Sequence, residues 1–87
     1  MALDIAPERL DALELNGIWA PYVYMGDVDF LPTRVNVGKD EYAFESSIII
    51  FGHGAVLPGH IKELRAAGKK PIILEREERY YVYVTPP

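Results

Sequence analysis

Between Ser46 and Glu75 the chain reads SSIIIFGHGAVLPGHIKELRAAGKKPIILE, and this stretch leaves few folds open. The run Ile48 to Phe51 is apolar at every position, which a strand tolerates when both of its faces are covered. Leu57, Ile61 and Leu64 follow at helical spacing, with Pro58 near the start of the stripe and Gly68 just past its end, where a helix favours each. Pro71 to Leu74, PIIL, is a second buried-strand run. The spacing predicts a strand over about 46–51, a helix over about 58–67 and a strand over about 71–75. Strand, helix and strand within roughly 30 residues imply a parallel pair joined by a right-handed crossover.

The flanking segments complete the expected sheet. Pro7 suits a first helical position, Ile5 and Leu10 have the spacing of a hydrophobic staple, and Asn16-Gly17 reads as a stop. This predicts a short N-terminal helix over about Pro7 to Leu15. IWAPYVYM, Ile18 to Met25, reads as a strand, placed at a sheet edge or a bulge by the missing N–H of Pro21. Gly26-Asp27 signals a turn, Val28 to Val37 a second strand interrupted by Pro32, and Gly38 to Asp40 a hairpin connection. Tyr42 and Phe44 then share one face of the strand that becomes apolar on both. Glu75 to Arg79 turns the chain into YYVYV, which sets Tyr81 and Tyr83 opposite Tyr80, Val82 and Val84 and pairs antiparallel with Pro71 to Leu74. The expectation is one α+β domain over residues 1–87: a mixed five-stranded sheet with a β-α-β crossover, a C-terminal antiparallel strand and a short N-terminal helix.

A domain of 87 residues buries barely enough surface to fold alone, and with no cysteine it has no disulfide or thiolate-bound zinc to help. Stability must come from dense packing or from a partner. One Trp, three Phe and six Tyr are more aromatics than so short a chain easily hides, which points to a protein partner or to self-association. The net charge of −4 gives no general attraction to nucleic acid or to anionic lipid. No apolar run approaches the roughly 18 residues of a membrane span, and MALDIAPERL lacks the features of a signal peptide. These features suggest a reducing compartment, cytoplasmic or within a larger assembled particle.

The glycine loop offers one chemical reading. Gly52 and Gly54 follow a buried strand and precede a helix, whose first N–H groups can receive an anion. With Glu75 roughly 20 residues beyond, at the end of the next strand, the segment resembles half of a dinucleotide-binding fingerprint. The pattern departs in one place, because the third glycine of that fingerprint would fall at Leu57, whereas the chain has Gly59. It also lacks the Gly-Lys-Ser/Thr of a phosphate-binding P-loop. The candidate residues for a phosphate or nucleotide are Gly52, His53, Gly54, Gly59, His60 and Glu75.

Other groups carry less. His53 and His60 are seven apart, not the i, i+4 of a helical zinc pair, and no third histidine exists. Asp27 and Asp29 would share a face of an extended segment, but a turn uses such residues for its own hydrogen bonds. Neither Ser46 nor Ser47 lies in a nucleophile elbow. No catalytic residue, metal site or cofactor is expected. Lys69 and Lys70 follow the helix C-terminus, where the dipole favours positive charge. Trp19, Tyr22 and Tyr24 on the first strand and Tyr80, Tyr81 and Tyr83 on the last, both taken as sheet edges, form an aromatic interaction surface. The first functional reading is therefore a non-enzymatic protein-interaction or assembly module, a subunit of a homo- or hetero-oligomer. The second is a small-ligand protein using Gly52 to Gly59.

Overall fold

The computed structural model describes residues 2–26, 30–49 and 56–86. Strands β1 (Ala2–Ile5), β2 (Asp11–Leu15), β3 (Ile18–Tyr24), β4 (Arg34–Val37), β5 (Asp40–Ile49), β6 (Pro71–Arg76) and β7 (Arg79–Val84) form one seven-stranded sheet in the order β1-β4-β5-β7-β6-β3-β2. β1 pairs parallel with β4 and β3 with β6, and the other neighbours are antiparallel. One α-helix, α1 (Val56–Ala66), stands between β5 and β6 in the chain. β5 and β6 do run parallel, but β7 lies between them and pairs antiparallel with both.

Two parts of the expected architecture are corrected: the sheet has seven strands rather than five, and no N-terminal helix forms. Pro7 starts only a 3-10 turn over Pro7–Arg9, and the chain then extends into β2. Asp11 to Leu15 is ambiguous in period, since Leu10 and Leu13 fit a helix while Leu13 and Leu15 fit a strand. The dipeptide that follows decides it. Leu15 pairs with Ile18, so Asn16 and Gly17 are the two central residues of a hairpin, at φ 52° and 87°. Positive φ at both positions is a type I′ turn, which Asn-Gly favours above other dipeptides. Leu13 and Leu15 pack against the helix-side core while Ala12 and Glu14 remain exposed.

The β6–β7 hairpin has the same geometry with less suitable residues. Arg76 pairs with Arg79, and the turn between them holds Glu77 and Glu78 at φ 51° and 62°. Left-handed backbone costs a residue with a Cβ roughly 1 kcal/mol or more, and two adjacent glutamates add mutual repulsion. Replacing Glu77-Glu78 with Asn-Gly should therefore stabilise the protein by about 1 to 2 kcal/mol in urea unfolding at neutral pH. An unchanged or lower midpoint would show that this turn is not strained.

The sheet curls. Its outer strands β1 and β2 are joined by Ala6 to Leu10, which contain the 3-10 turn. Six strand spacings of about 4.8 Å would set the edges of a flat sheet roughly 29 Å apart. The six residue steps from Ile5 to Asp11 reach about 21 Å fully extended, and less through a 3-10 turn. The edges must therefore approach each other, and the sheet encloses its concave face.

That enclosure creates a core without a helix. Ile5, Val23, Met25, Val35, Val37, Tyr42, Ile72, Leu74, Tyr81 and Tyr83 are buried together on the concave side, with Leu3 and Leu10 packed against them. On the convex side Leu57, Ile61 and Leu64 of α1 cover Ala20, Ile73, Val82 and Val84. The apolar runs of β6 and β7 are covered on both faces, which is why PIIL and YYVYV are continuously apolar or aromatic. A Schellman motif ends α1: Gly68 at φ 81° lets Lys69 N–H donate to the Leu64 carbonyl and Gly68 N–H to that of Arg65, both at 3.0 Å.

Candidate functional site

The expected aromatic surface divides when the sheet is assembled. β7 is a central strand rather than an edge, and the last strand's tyrosines are largely lost to the interior: Tyr83 is fully buried, Tyr81 buried and Tyr80 half-buried. β3 is covered by β2, so it is not an edge either. Trp19 and Tyr24 remain exposed, on opposite faces of β3. Physically, alternation shows that a strand has two faces but not how many of them the rest of the chain covers.

Tyr83 anchors a different aromatic group. Its hydroxyl donates to the Pro32 carbonyl at 2.6 Å, and burial pushes its pKa up to about 12. Phe44 on β5 meets the Tyr83 ring edge-on at a centroid distance of 5.6 Å and the Tyr81 ring at 6.4 Å. Phe44 nevertheless stays 42% exposed. Its N–H donates to the Thr33 carbonyl at 3.1 Å, and Phe30 and Leu31, which shortly precede Thr33 in the chain, are also exposed. Buried tyrosines thus support an open apolar mouth on the concave side. The sequence signal for it was present in FLP ahead of β4 and in Phe44 two positions after Tyr42, but nothing local shows that these lie together.

On the convex side a bulge between Phe44 and Ser46 adds one residue, Glu45, to β5. The Glu45 carboxylate accepts from Ser46 Oγ at 2.5 Å and meets His60 Nε2 at 2.6 Å, while Ser46 Oγ lies 3.3 Å from the same nitrogen. Burial would raise the Glu45 pKa, but hydrogen bonds from Ser46 and His60 and the charges of His60 and Lys69 outweigh it and hold the carboxyl below its ordinary range. This is not a nucleophilic triad. A serine is activated when one imidazole nitrogen takes its proton and the acid holds the other nitrogen, whereas here Ser46 and Glu45 crowd the same Nε2. The cluster instead clamps α1 to β5.

Of the loop candidates, Gly52, His53 and Gly54 lie outside the described residues, as do Asp27 and Asp29. Gly59 is an exposed helical residue at which a side chain would meet open space. His60 is engaged in the clamp. Glu75 accepts from the Tyr22 hydroxyl at 2.6 Å and pairs across the ladders with Tyr24 and Tyr80. Burial, then the bond to Glu75, raise the Tyr22 pKa. Glu75 and His60 thus both have internal partners.

A cleft of about 210 Å³ opens at the end of the sheet where β6 begins, lined by Pro21, Tyr42, Arg65, Lys69, Lys70 and Pro71. Among the described residues no group of His, Cys, Asp and Glu could hold a metal ion, and no helix is long and apolar enough to cross a membrane.

These elements define a small α+β domain: one curled mixed sheet with a helix on its convex face. No family model matches the chain, and comparison with curated proteins and with solved structures finds no match. Any functional reading therefore rests on its own geometry.

Proposed function

We propose that the protein is a non-enzymatic interaction or assembly module that binds protein through the apolar mouth around Phe44. One observation carries this reading: Phe44 is packed on two buried tyrosine rings yet keeps 42% of its surface in water. A large apolar side chain held in place by its neighbours loses little conformational freedom on binding, which is the property of an interface anchor. Phe30 and Leu31, 37% and 39% exposed, stand just ahead of Pro32, whose carbonyl accepts from the Tyr83 hydroxyl. The sheet edges do not compete for this role. β1 and β2 are short and carry Asp4, Asp11 and Glu14, the charged pattern that discourages strand addition.

The test compares wild type with Phe44→Gln by sedimentation and by affinity capture. Wild type should form a species heavier than its 9.8 kDa chain, or retain a stoichiometric protein partner, and Phe44→Gln should lose either one with its melting temperature within a few degrees of wild type. A monomer that stays folded on dilution and retains no protein overturns the reading, as does association that Phe44→Gln leaves intact.

A further inference from the structure

The cleft at the opposite end of α1 from the glycine loop combines shape and charge in a way the interaction surface does not use. Its walls are Pro21, Pro71 and the Tyr42 side chain, and its remaining lining is Arg65, Lys69 and Lys70. Three of the six lining residues are cationic, in a chain whose net charge is −4. Ion pairs among the described residues join Arg34 to Glu41, His60 to Glu45 and Arg76 to Glu77, and none engages these three cations.

The helix dipole accounts for only part of this charge. A helix C-terminus is worth about half a negative elementary charge, and here the Schellman bonds already satisfy the Leu64 and Arg65 carbonyls. Three full positive charges exceed that need. Two carboxylates interact with the lining residues, Glu45 with Lys69 and Asp40 with Tyr42.

Of the three, the Arg65 guanidinium is also held in place. Arg65 Nη2 donates to the Trp19 carbonyl at 2.7 Å, which fixes its guanidinium and leaves its other N–H groups available. Lys70 exchanges two backbone–side-chain and backbone–backbone bonds with Thr85, at 3.0 and 3.1 Å, so its backbone is pinned to the C-terminal segment. Burial, then Asp40, raise the Tyr42 pKa, so its hydroxyl keeps its proton at neutral pH.

We infer that this cleft binds the phosphoryl group of a small phosphorylated ligand, with Arg65, Lys69 and Lys70 as its counter-charges. A lining that includes an arginine and two lysines suits the spread charge of a phosphate dianion better than that of a single carboxylate. At about 210 Å³ the cleft has the room of about seven liquid waters at about 30 Å³ each, enough for a phosphoryl group and part of what it is attached to. The exposed Trp19 shares a face of β3 with Pro21, one of the lining residues.

The experiment is a titration of the ¹⁵N-labelled protein with inorganic phosphate at constant ionic strength, with acetate as the comparison anion. Phosphate should give saturable shifts at the amides of Tyr42, Gly68, Lys69 and Lys70, and acetate should bind at least about tenfold more weakly. Lys69→Ala and Lys70→Gln should each weaken phosphate binding about tenfold while melting as wild type does. Arg79→Gln, which removes a positive charge at the far end of β7, should leave it unchanged. Shifts that rise without saturating, equal binding of acetate, or equal loss in Arg79→Gln would overturn the inference.

Discussion

Ile61→Ala is expected to destabilise the protein by about 2 to 5 kcal/mol, while Val56→Ala on the same helix should change stability by less than about 0.5 kcal/mol. Ile61 is fully buried against Leu57, Leu64, Ile73 and Val82, so truncation leaves a cavity between helix and sheet. Val56 is 56% exposed and leaves none. A domain of this kind has a total stability of roughly 5 to 15 kcal/mol, so the first substitution removes a large share of it. Urea unfolding of both variants checks the contrast. An Ile61→Ala midpoint equal to wild type would mean that α1 does not cover this face.

The second large effect is alkaline. Tyr83 titrates at about 12 in the folded protein, chiefly because it is buried, then because of Tyr81, with Arg76 opposing. An unfolded tyrosine titrates near 10. Its folded value is raised, so its contribution is fully present below about pH 10 and is lost as the pH climbs through about 12. Two units correspond to about 2 to 3 kcal/mol. Tyr22, Tyr42 and Tyr80 are shifted in the same direction by burial and by nearby carboxylates, and act with the same sign.

Tyr83→Phe separates this contribution from the rest. It deletes the hydroxyl that serves the Pro32 carbonyl and should cost about 1 to 3 kcal/mol at neutral pH. Between pH 10 and 12 the variant should lose less further stability than wild type. Stability measured by urea unfolding across this range tests both statements, and parallel losses in the two proteins would rule out Tyr83 as a source of the alkaline limb.

Much of the candidate surface was not legible in the sequence because it is made by contacts between distant segments. The apolar mouth sets Phe44 on Tyr81 and Tyr83, and Tyr83 on the Pro32 carbonyl, from three stretches of chain. The cationic cleft brings Pro21 and Tyr42 to the end of a helix whose lysines, taken alone, are explained by the dipole. The reading of Tyr81 and Tyr83 as surface failed for a related reason. Their alternation is correct, with Tyr81 and Tyr83 on one face and Tyr80 on the other, but the curl of the sheet buries the face that carries Tyr81 and Tyr83, while Tyr80 stays half-buried against the helix-side core.

Local sequence alone determined those elements whose side chains must be covered on every side or whose turns admit few residues. Leu57, Ile61 and Leu64 can satisfy their burial only as one face of a helix, and Gly68 ends it because a left-handed residue is needed there. PIIL and YYVYV pair as expected because adjacent apolar strands joined by two residues have no cheaper arrangement. Tertiary structure decided the rest. ALDI becomes a strand only because β4, some thirty residues away in the chain, offers it a parallel ladder, and DALEL becomes one only because β3 does. Hydrogen bonds of that kind are unavailable to an isolated segment, so its own residues cannot choose between the weak helix and the edge strand.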